Sequence, residues 1–261
     1  MKVIGSMAAM QRQSAIWMRS GEVVGFVPTM GALHEGHLTL IRRARAECRC
    51  VVVSIYVNPT QFGPKEDLAR YPRPRHRDLA LCRAAGVDLV FAPANLYLPD
   101  HSTFVEENHF SQGRCGTSRP GHFRGVATVV LKLFNLVHPT RAYFGQKDAQ
   151  QVDVIRRIVR DLNVPVKLIA VPTVRDSDGL ALSSRNRYLS PEERTIAVKF
   201  ARLLQEATKQ KANQAAWLRR QLKRLAGLRL DYVEIAGGRL CVAVWVGKTR
   251  LIDNERLPSS G

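Results

Sequence analysis

The stretch Val23 to Leu40, VVGFVPTMGALHEGHLTL, constrains the fold more than any other. An apolar run passes straight into a glycine turn, two histidines and a helical pattern. Val23, Val24, Phe26 and Val27 predict an interior strand of a parallel sheet, ended by Pro28 and Gly31. In an open α/β sheet, ligands bind beyond the carboxyl ends of the strands, where the free N–H groups and dipole of the next helix attract phosphate. His34-Glu35-Gly36-His37 occupies that position. If the helix has begun by His34, the two imidazoles share one face, and Gly36 lets a ligand approach the backbone closely. The same pair can be read as metal ligands or as solvated turn histidines. Zinc pairs on helices more often use i,i+4 spacing with a third protein ligand, and none stands nearby, so no metal site is assigned.

Further along, Gln11 to Ser20 predicts a helix, and Val51 to Val57 a second strand ending in Asn58-Pro59-Thr60-Gln61. Asn58 and Gln61 are uncharged amides able to hydrogen-bond a small polar substrate, or simply to form the turn. Asp78 to Ala85 reads as a helix and Val87 to Phe91 as a third strand, which gives the alternation of a doubly wound fold. Pro93 to Thr117 shows little periodicity and is a candidate flap. Arg119, His122 and Arg124 precede an apolar helix, Val126 to Val137, as donors suited to an anionic substrate. Arg141 to Phe144 is a short strand before Gly145-Gln146-Lys147-Asp148, where a lysine beside a helix start can neutralise phosphate. Asp148 there can accept from a ribose hydroxyl or help hold Mg2+, and Gln151 shares a face with Lys147. After the strand Val166 to Val171 comes Leu182-Ser183-Ser184-Arg185, two hydroxyls and a guanidinium on a loop that can wrap a triphosphate. Ser190-Pro191-Glu192-Glu193 is a capping box that opens a new helix and marks a domain boundary. Two basic helices and three strands then complete the chain, with Gly237-Gly238 closing a hairpin.

With 261 residues and 45% hydrophobic composition, the chain can bury a sizeable core. No apolar run approaches the roughly 18 residues of a membrane helix, and Met1 to Gln13 lacks the apolar centre of a signal peptide, so the expectation is a cytoplasmic protein. The five cysteines show no C-x-x-C spacing and predict free thiols. The net charge of +18 raises nucleic acid as a partner. The excess is spread over residues 1–185 and 186–261 alike, and its densest part, Arg194 to Arg229, suits the solvated faces of two helices, so no specific nucleic acid is expected.

Four strand ends thus converge on one chemistry, activation of a carboxylate by ATP. PTMGALHEGH, VNPTQF, SRPGHFRGV, FGQKDAQQ and DGLALSSRN, in that order, resemble the successive motifs of the pantoate-beta-alanine ligase family, and TRLIDN resembles its carboxyl-terminal end. The resemblance implies a Rossmann-like nucleotidyltransferase domain with a parallel sheet, residues 1–189, binding ATP and pantoate. A smaller α+β lid domain, residues 190–261, would follow, in a cytoplasmic homodimer. It carries ATP contacts onto Met30, Gly31, Ala32, Leu33, His34, Glu35, Gly36 and His37, onto Gly145, Gln146, Lys147 and Asp148, and onto Val174, Leu182, Ser183, Ser184 and Arg185. His37 matches the proton donor. With it, His34, Lys147 and Arg185 are the candidate catalytic groups. Gln61 matches an amide shared by pantoate and beta-alanine, Gln151 matches a second pantoate ligand, and Asn58 joins them as a candidate substrate contact. The implied reaction consumes ATP with Mg2+ on its phosphates. Three departures stand out: the segment Ala236 to Arg239 is short, Arg114 replaces a usually apolar flap residue, and the charge is unusually positive.

Overall fold

In the computed structural model, which describes residues 1–64 and 66–258, the apolar run after Val23 is the strand Val24–Thr29, buried from Val24 to Val27. It is β2 of six parallel strands, the others being β1 Lys2–Ile4, β3 Cys50–Ile55, β4 Leu89–Phe91, β5 Arg141–Gly145 and β6 Lys167–Val171. Their spatial order is β1-β4-β3-β2-β5-β6. From β2 the chain builds outward through β3 and β4, then returns to lay β5 on the free side of β2. The order therefore reverses between β2 and β5, where doubly wound sheets bind their ligands. The turns at residues 30–37 and 145–151 follow the carboxyl ends of these two strands.

Among the described residues six helices accompany the sheet: α1 Met7–Arg19, α2 Glu35–Glu47, α3 Arg75–Ala84, α4 Arg114–Ser118, α5 His122–Val137 and α6 Ala149–Asp161. On α2, Leu40, Ile41 and Ala44 pack against Val27, Val51 and Val53 of the sheet. α5 is apolar nearly all round and joins the core with Phe26, Val52, Phe91 and Phe144, as expected of a helix buried on most of its surface. It starts at His122, four residues before the expected Val126. Gly121, at φ +78°, turns the chain into the helix sooner than the arginine-rich sequence suggests. The sequence pattern does not reveal the edge strand β1, because KVI is too short to show a period.

The described chain divides into two compact units, Met1–Gln146 with Gln150–Pro172, and Lys147–Ala149 with the chain from Thr173 on. The second unit thus takes in residues 173–189 ahead of the capping box. That box is formed: Ser190 Oγ accepts from Glu193 N at 3.2 Å, and Ser190 N donates to Glu193 Oε2 at 3.0 Å. It opens α7, Pro191–Thr208, followed by α8, Gln214–Arg224, and an antiparallel sheet of β7 Leu228–Ala236, β8 Arg239–Val246 and β9 Thr249–Arg256. Gly237 and Gly238, at φ +55° and +69°, make the two-residue hairpin turn whose twist suits its strands. Phe200, Leu204, Leu218, Leu222, Val242 and Val244 fill the core between helices and sheet. The architecture is α/β with a smaller antiparallel part, as the sequence indicates. All five cysteines are free thiols.

Candidate active site

The turn after β2 is held by hydrogen bonds at nearly every residue. Thr29 Oγ1 donates to Ser54 O at 2.7 Å and accepts from Gly31 N at 3.1 Å. Gly31 and Ala32 both lie at positive φ, +79° and +52°. The next two amides point to one carboxylate: Ala32 N donates to Asp78 Oδ2 at 2.9 Å and Leu33 N to Asp78 Oδ1 at 2.8 Å. Asp78 lies on α3 and is only 1% exposed. A side chain at Gly31 would come within 2.9 Å of that carboxylate, so the glycine is required by the anchor as well as by its φ.

His34 is the residue that precedes α2, extended at φ −138°, and the helix begins at Glu35. The two histidines therefore do not share a helical face. Instead their rings stack with centroids 4.1 Å apart, and His34 N donates to His37 Nδ1 at 3.3 Å. An Nδ1 that accepts leaves the neutral ring's hydrogen on Nε2, so His37 carries an N–H donor on that side. Among the described residues no group of three or more His, Cys, Asp or Glu is placed to hold a metal ion.

Gln61 joins this turn directly, its Nε2 lying 3.3 Å from Met30 Sδ. Its side chain is set by Asn58, whose Nδ2 donates to Gln61 Oε1 and to Gly125 O, both at 3.1 Å. Asn58 Oδ1 accepts from Thr60 Oγ1 at 3.0 Å and from Tyr97 OH at 2.9 Å. Burial raises the Tyr97 pKa, which keeps that phenol a donor. Asn58 is 0% exposed and both ends of its amide are engaged. Its amide therefore holds the Gln61 side chain in place. The backbone of Gln61 is braced as well. His122 Nδ1 lies 2.9 Å from Gln61 O and its Nε2 2.9 Å from Arg119 Nη1, and Arg119 is ion-paired with Glu66 at 2.5 Å. Arg124 stacks over Phe104 at 3.9 Å. Arg119 and His122 thus brace the amide turn.

Gly125 explains why the brace is tight. A Cβ there would stand 2.4 Å from Thr60 O and 2.6 Å from Gln61 N. Both are backbone atoms that cannot swing away. Gly125→Ala is expected to cost about 1–3 kcal/mol in stability by overpacking and to raise the KM of whatever Gln61 binds. Urea melts with substrate kinetics check both.

After β5, Gly145 is in a different position. A Cβ on it would meet nothing within 4 Å, and its φ is not positive. Neither packing nor backbone conformation requires glycine there. Gly145→Ala is expected to hold its melting temperature within a few degrees while raising the KM for nucleotide several-fold. An unchanged KM would show that no ligand comes that near. Gln146 is half-buried, as is Gln151 on α6; the Gln151 side chain makes no hydrogen bond among the described residues. Its neighbour Gln150 is buried and engaged: Oε1 accepts from Cys115 N at 3.0 Å, and Nε2 donates to Phe110 O at 2.9 Å. Glu107 accepts from His109 N, Phe110 N and Ser111 N within the same segment. The irregular stretch before α4 is therefore tied down, by Gln150 and Glu107, neither of which the sequence singled out. Arg114 is buried at φ +46° at the start of α4, and nothing in the structure explains the arginine.

In the second unit, Lys147 Nζ lies 3.9 Å from Asp148 Oδ1, with the lysine side chain largely buried and the aspartate half-exposed. Val174 O accepts from Leu182 N at 3.0 Å, and Arg175 bridges to Ala181, closing a small hairpin. Ser183 then caps the 3-10 turn Ser184–Tyr188, accepting from Arg185 N at 3.3 Å. Val174, Leu182, Ser183, Ser184 and Arg185 are thus one continuous feature. Arg194 reaches it from α7, pairing with Asp176 at 2.6 Å and Asp178 at 2.7 Å.

A doubly wound parallel sheet with a wired, donor-bearing turn at its switch point places the chain among Rossmann-like α/β proteins of the nucleotide-handling class. A sequence model described as pantoate-beta-alanine ligase matches residues 2–256. The chain belongs to the pantoate-beta-alanine ligase family. It is similar to the pantothenate synthetases of Moorella thermoacetica, at 50% identity over 97% of this chain and 98% of the relative, and of Thermotoga neapolitana, at 51% over 98% and 100%. The crystal structure of pantothenate synthetase from Thermus thermophilus superposes with a TM-score of 0.92 at 46% identity, covering 99% of this chain and 100% of that one. The Francisella tularensis pantoate-beta-alanine ligase, crystallised with beta-gamma ATP and beta-alanine, gives 0.87 at 36% identity over 98% and 97%. The chain is accordingly an enzyme that ligates pantoate to beta-alanine in pantothenate biosynthesis. No helix among the described residues is long and apolar enough to cross a membrane.

Proposed function

We propose that the ligation consumes ATP through a pantoyl adenylate. A carboxylate does not condense with an amine at neutral pH, because oxide is a poor leaving group and the anion repels nucleophiles. Attack of the pantoate carboxylate oxygen on the α-phosphorus forms the acyl phosphate bond and expels pyrophosphate. The amine of beta-alanine then attacks the acyl carbon, AMP leaves with the oxygen, and the nitrogen loses its extra proton. The observation that carries this reading is the donor turn at the switch point, with Asp78 fixing Ala32 and Leu33 and His37 accepting at Nδ1, which leaves the hydrogen of the neutral ring on Nε2.

In this reading Met30 to His37 and Gly145 to Asp148 bind ATP, together with Val174 and Leu182 to Arg185. His37 and His34 donate to phosphate oxygens, and Lys147 and Arg185 neutralise charge as pyrophosphate departs. Gln61 and Gln151 hold pantoate, and Asn58 fixes the Gln61 amide. The binding motifs lie within residues 1–189, and residues 190–261 supply the lid. Asp148 fits Mg2+, because this ion usually arrives on phosphates and needs only one or two carboxylates, with water completing its shell. When bound it would lower the charge on the phosphates. A cytoplasmic homodimer is the assembly the family resemblance supports, and sedimentation of the purified protein tests it. The chemistry is tested by positional isotope exchange in ATP with pantoate alone. Scrambling of the bridging oxygen indicates a reversible adenylate, and its absence together with steady turnover would point to direct condensation.

A further inference from the structure

The TRLIDN segment has no part in the chemistry above, although two of its polar side chains are almost completely buried. Asp253 and Asn254 on β9 are each 3% exposed. Buried polar groups are costly unless their hydrogen bonds are met, so what they bond to is informative. Asp253 accepts from Arg175 at both oxygens, from Nη1 at 2.7 Å and Nη2 at 3.1 Å, and Arg175 Nη2 donates also to Glu255 Oε1 at 2.6 Å. Burial works against the Arg175 charge, but Asp253 and then Glu255 outweigh it, and its pKa is raised. Asn254 Nδ2 donates to the backbone carbonyl of Lys147 at 2.8 Å, and its Oδ1 accepts from Arg239 Nε.

Alternate residues of a strand face opposite ways. Asp253 and Glu255 therefore present one face of β9 to Arg175, and Asn254 the other to Lys147. Each of these targets belongs to a backbone segment to which ATP is assigned. Arg175 directly follows Val174, whose carbonyl is bonded to Leu182 N. Lys147 sits in the 3-10 turn Gln146–Asp148, and its carbonyl oxygen is the one Asn254 reaches.

We propose that Asp253 and Asn254 are positioning residues for ATP, with Asn254 setting the Lys147 backbone and Asp253 setting the Val174 to Leu182 hairpin through Arg175. The proposal rests on the assignment of Lys147 to the nucleotide. Neither residue touches ATP in it.

The test compares Asn254→Asp, Arg239→Gln and Lys147→Ala. Asn254→Asp keeps the acceptor that Arg239 uses, loses the donor to Lys147 O and turns a carboxylate oxygen toward that carbonyl. Its KM for ATP is expected to rise about tenfold or more, since small misplacements of a binding group are costly, with the KM for beta-alanine within twofold of wild type. Arg239→Gln should leave the KM for ATP within about twofold. In a Lys147→Ala background, Asn254→Asp should add nothing further to the loss. If Asn254→Asp does not fold, Asn254→Ala takes its place, read against Arg239→Gln. A normal KM for ATP in the Asn254 variant beside an impaired Lys147→Ala would overturn the positioning role and leave the Lys147 assignment standing. A wild-type-like Lys147→Ala would remove that assignment, and the role of Asn254 with it.

Discussion

Asp78→Ala is expected to lose about 3–5 kcal/mol of stability, a large share of what a domain has. Two buried backbone amides, Ala32 N and Leu33 N, depend on that carboxylate, and a buried donor left without an acceptor costs about 1–3 kcal/mol. The methyl group supplies no acceptor, and its cavity adds to the loss. Asp78→Asn separates folding from function. It keeps one carbonyl oxygen for one amide and turns an NH2 group toward the other, so the chain should fold with a displaced turn. The expected result is a smaller shift in urea midpoint, together with a fall in kcat/KM for ATP of at least about tenfold, as for any binding group moved by a fraction of an ångström. Hydrogen exchange at residues 32 and 33 reports the displacement independently. An Asp78→Asn enzyme with normal kinetics and normal protection of those amides would show that the turn holds itself.

His37→Ala carries the second large effect, about 10²-fold or more in adenylate formation, which corresponds to about 2.7 kcal/mol of transition-state stabilisation. His37 also closes the amino end of α2 by accepting from His34 N, so a change in stability is expected alongside. His37→Asn can still accept near the position of Nδ1 but has no donor where Nε2–H stands. It should recover the melting temperature of the wild type and very little of the rate. Recovery of the rate by asparagine would assign His37 a structural duty alone.

How far these roles could be read in advance depended on whether the deciding contact lay within one stretch of sequence. The turn after β2 was legible because strand, glycine and helix start stand together in eighteen residues. The hairpin at Gly237-Gly238 and the capping box at Ser190 were legible for the same reason: each motif supplies its own partner. Asp78 was not, since its partners lie 45 and 46 residues away. The signal available was indirect. Asp78 and Cys82 sit at i,i+4 on the buried face of α3, and a carboxylate on a buried stripe must be accepting hydrogen bonds from somewhere. Burial pushes the Cys82 thiol up to about 12, so it stays protonated beside that carboxylate. An amide after a strand end looks available in the sequence, and the hydrogen bonds that tie Asn58 to Gln61, Gly125, Thr60 and Tyr97 are visible only in the fold. Arg119 looked cationic for the same local reason, while its partner Glu66 lies 53 residues away.

The most direct test of the central claim is release of AMP and pyrophosphate from ATP and Mg2+, measured with pantoate alone and then with beta-alanine added. The adenylate account predicts a burst of pyrophosphate close to one per active site with pantoate alone, then multiple turnovers of AMP and pantothenate once beta-alanine is present. Pyrophosphate that appears only when both substrates are present, with no burst under single-turnover conditions, would contradict it.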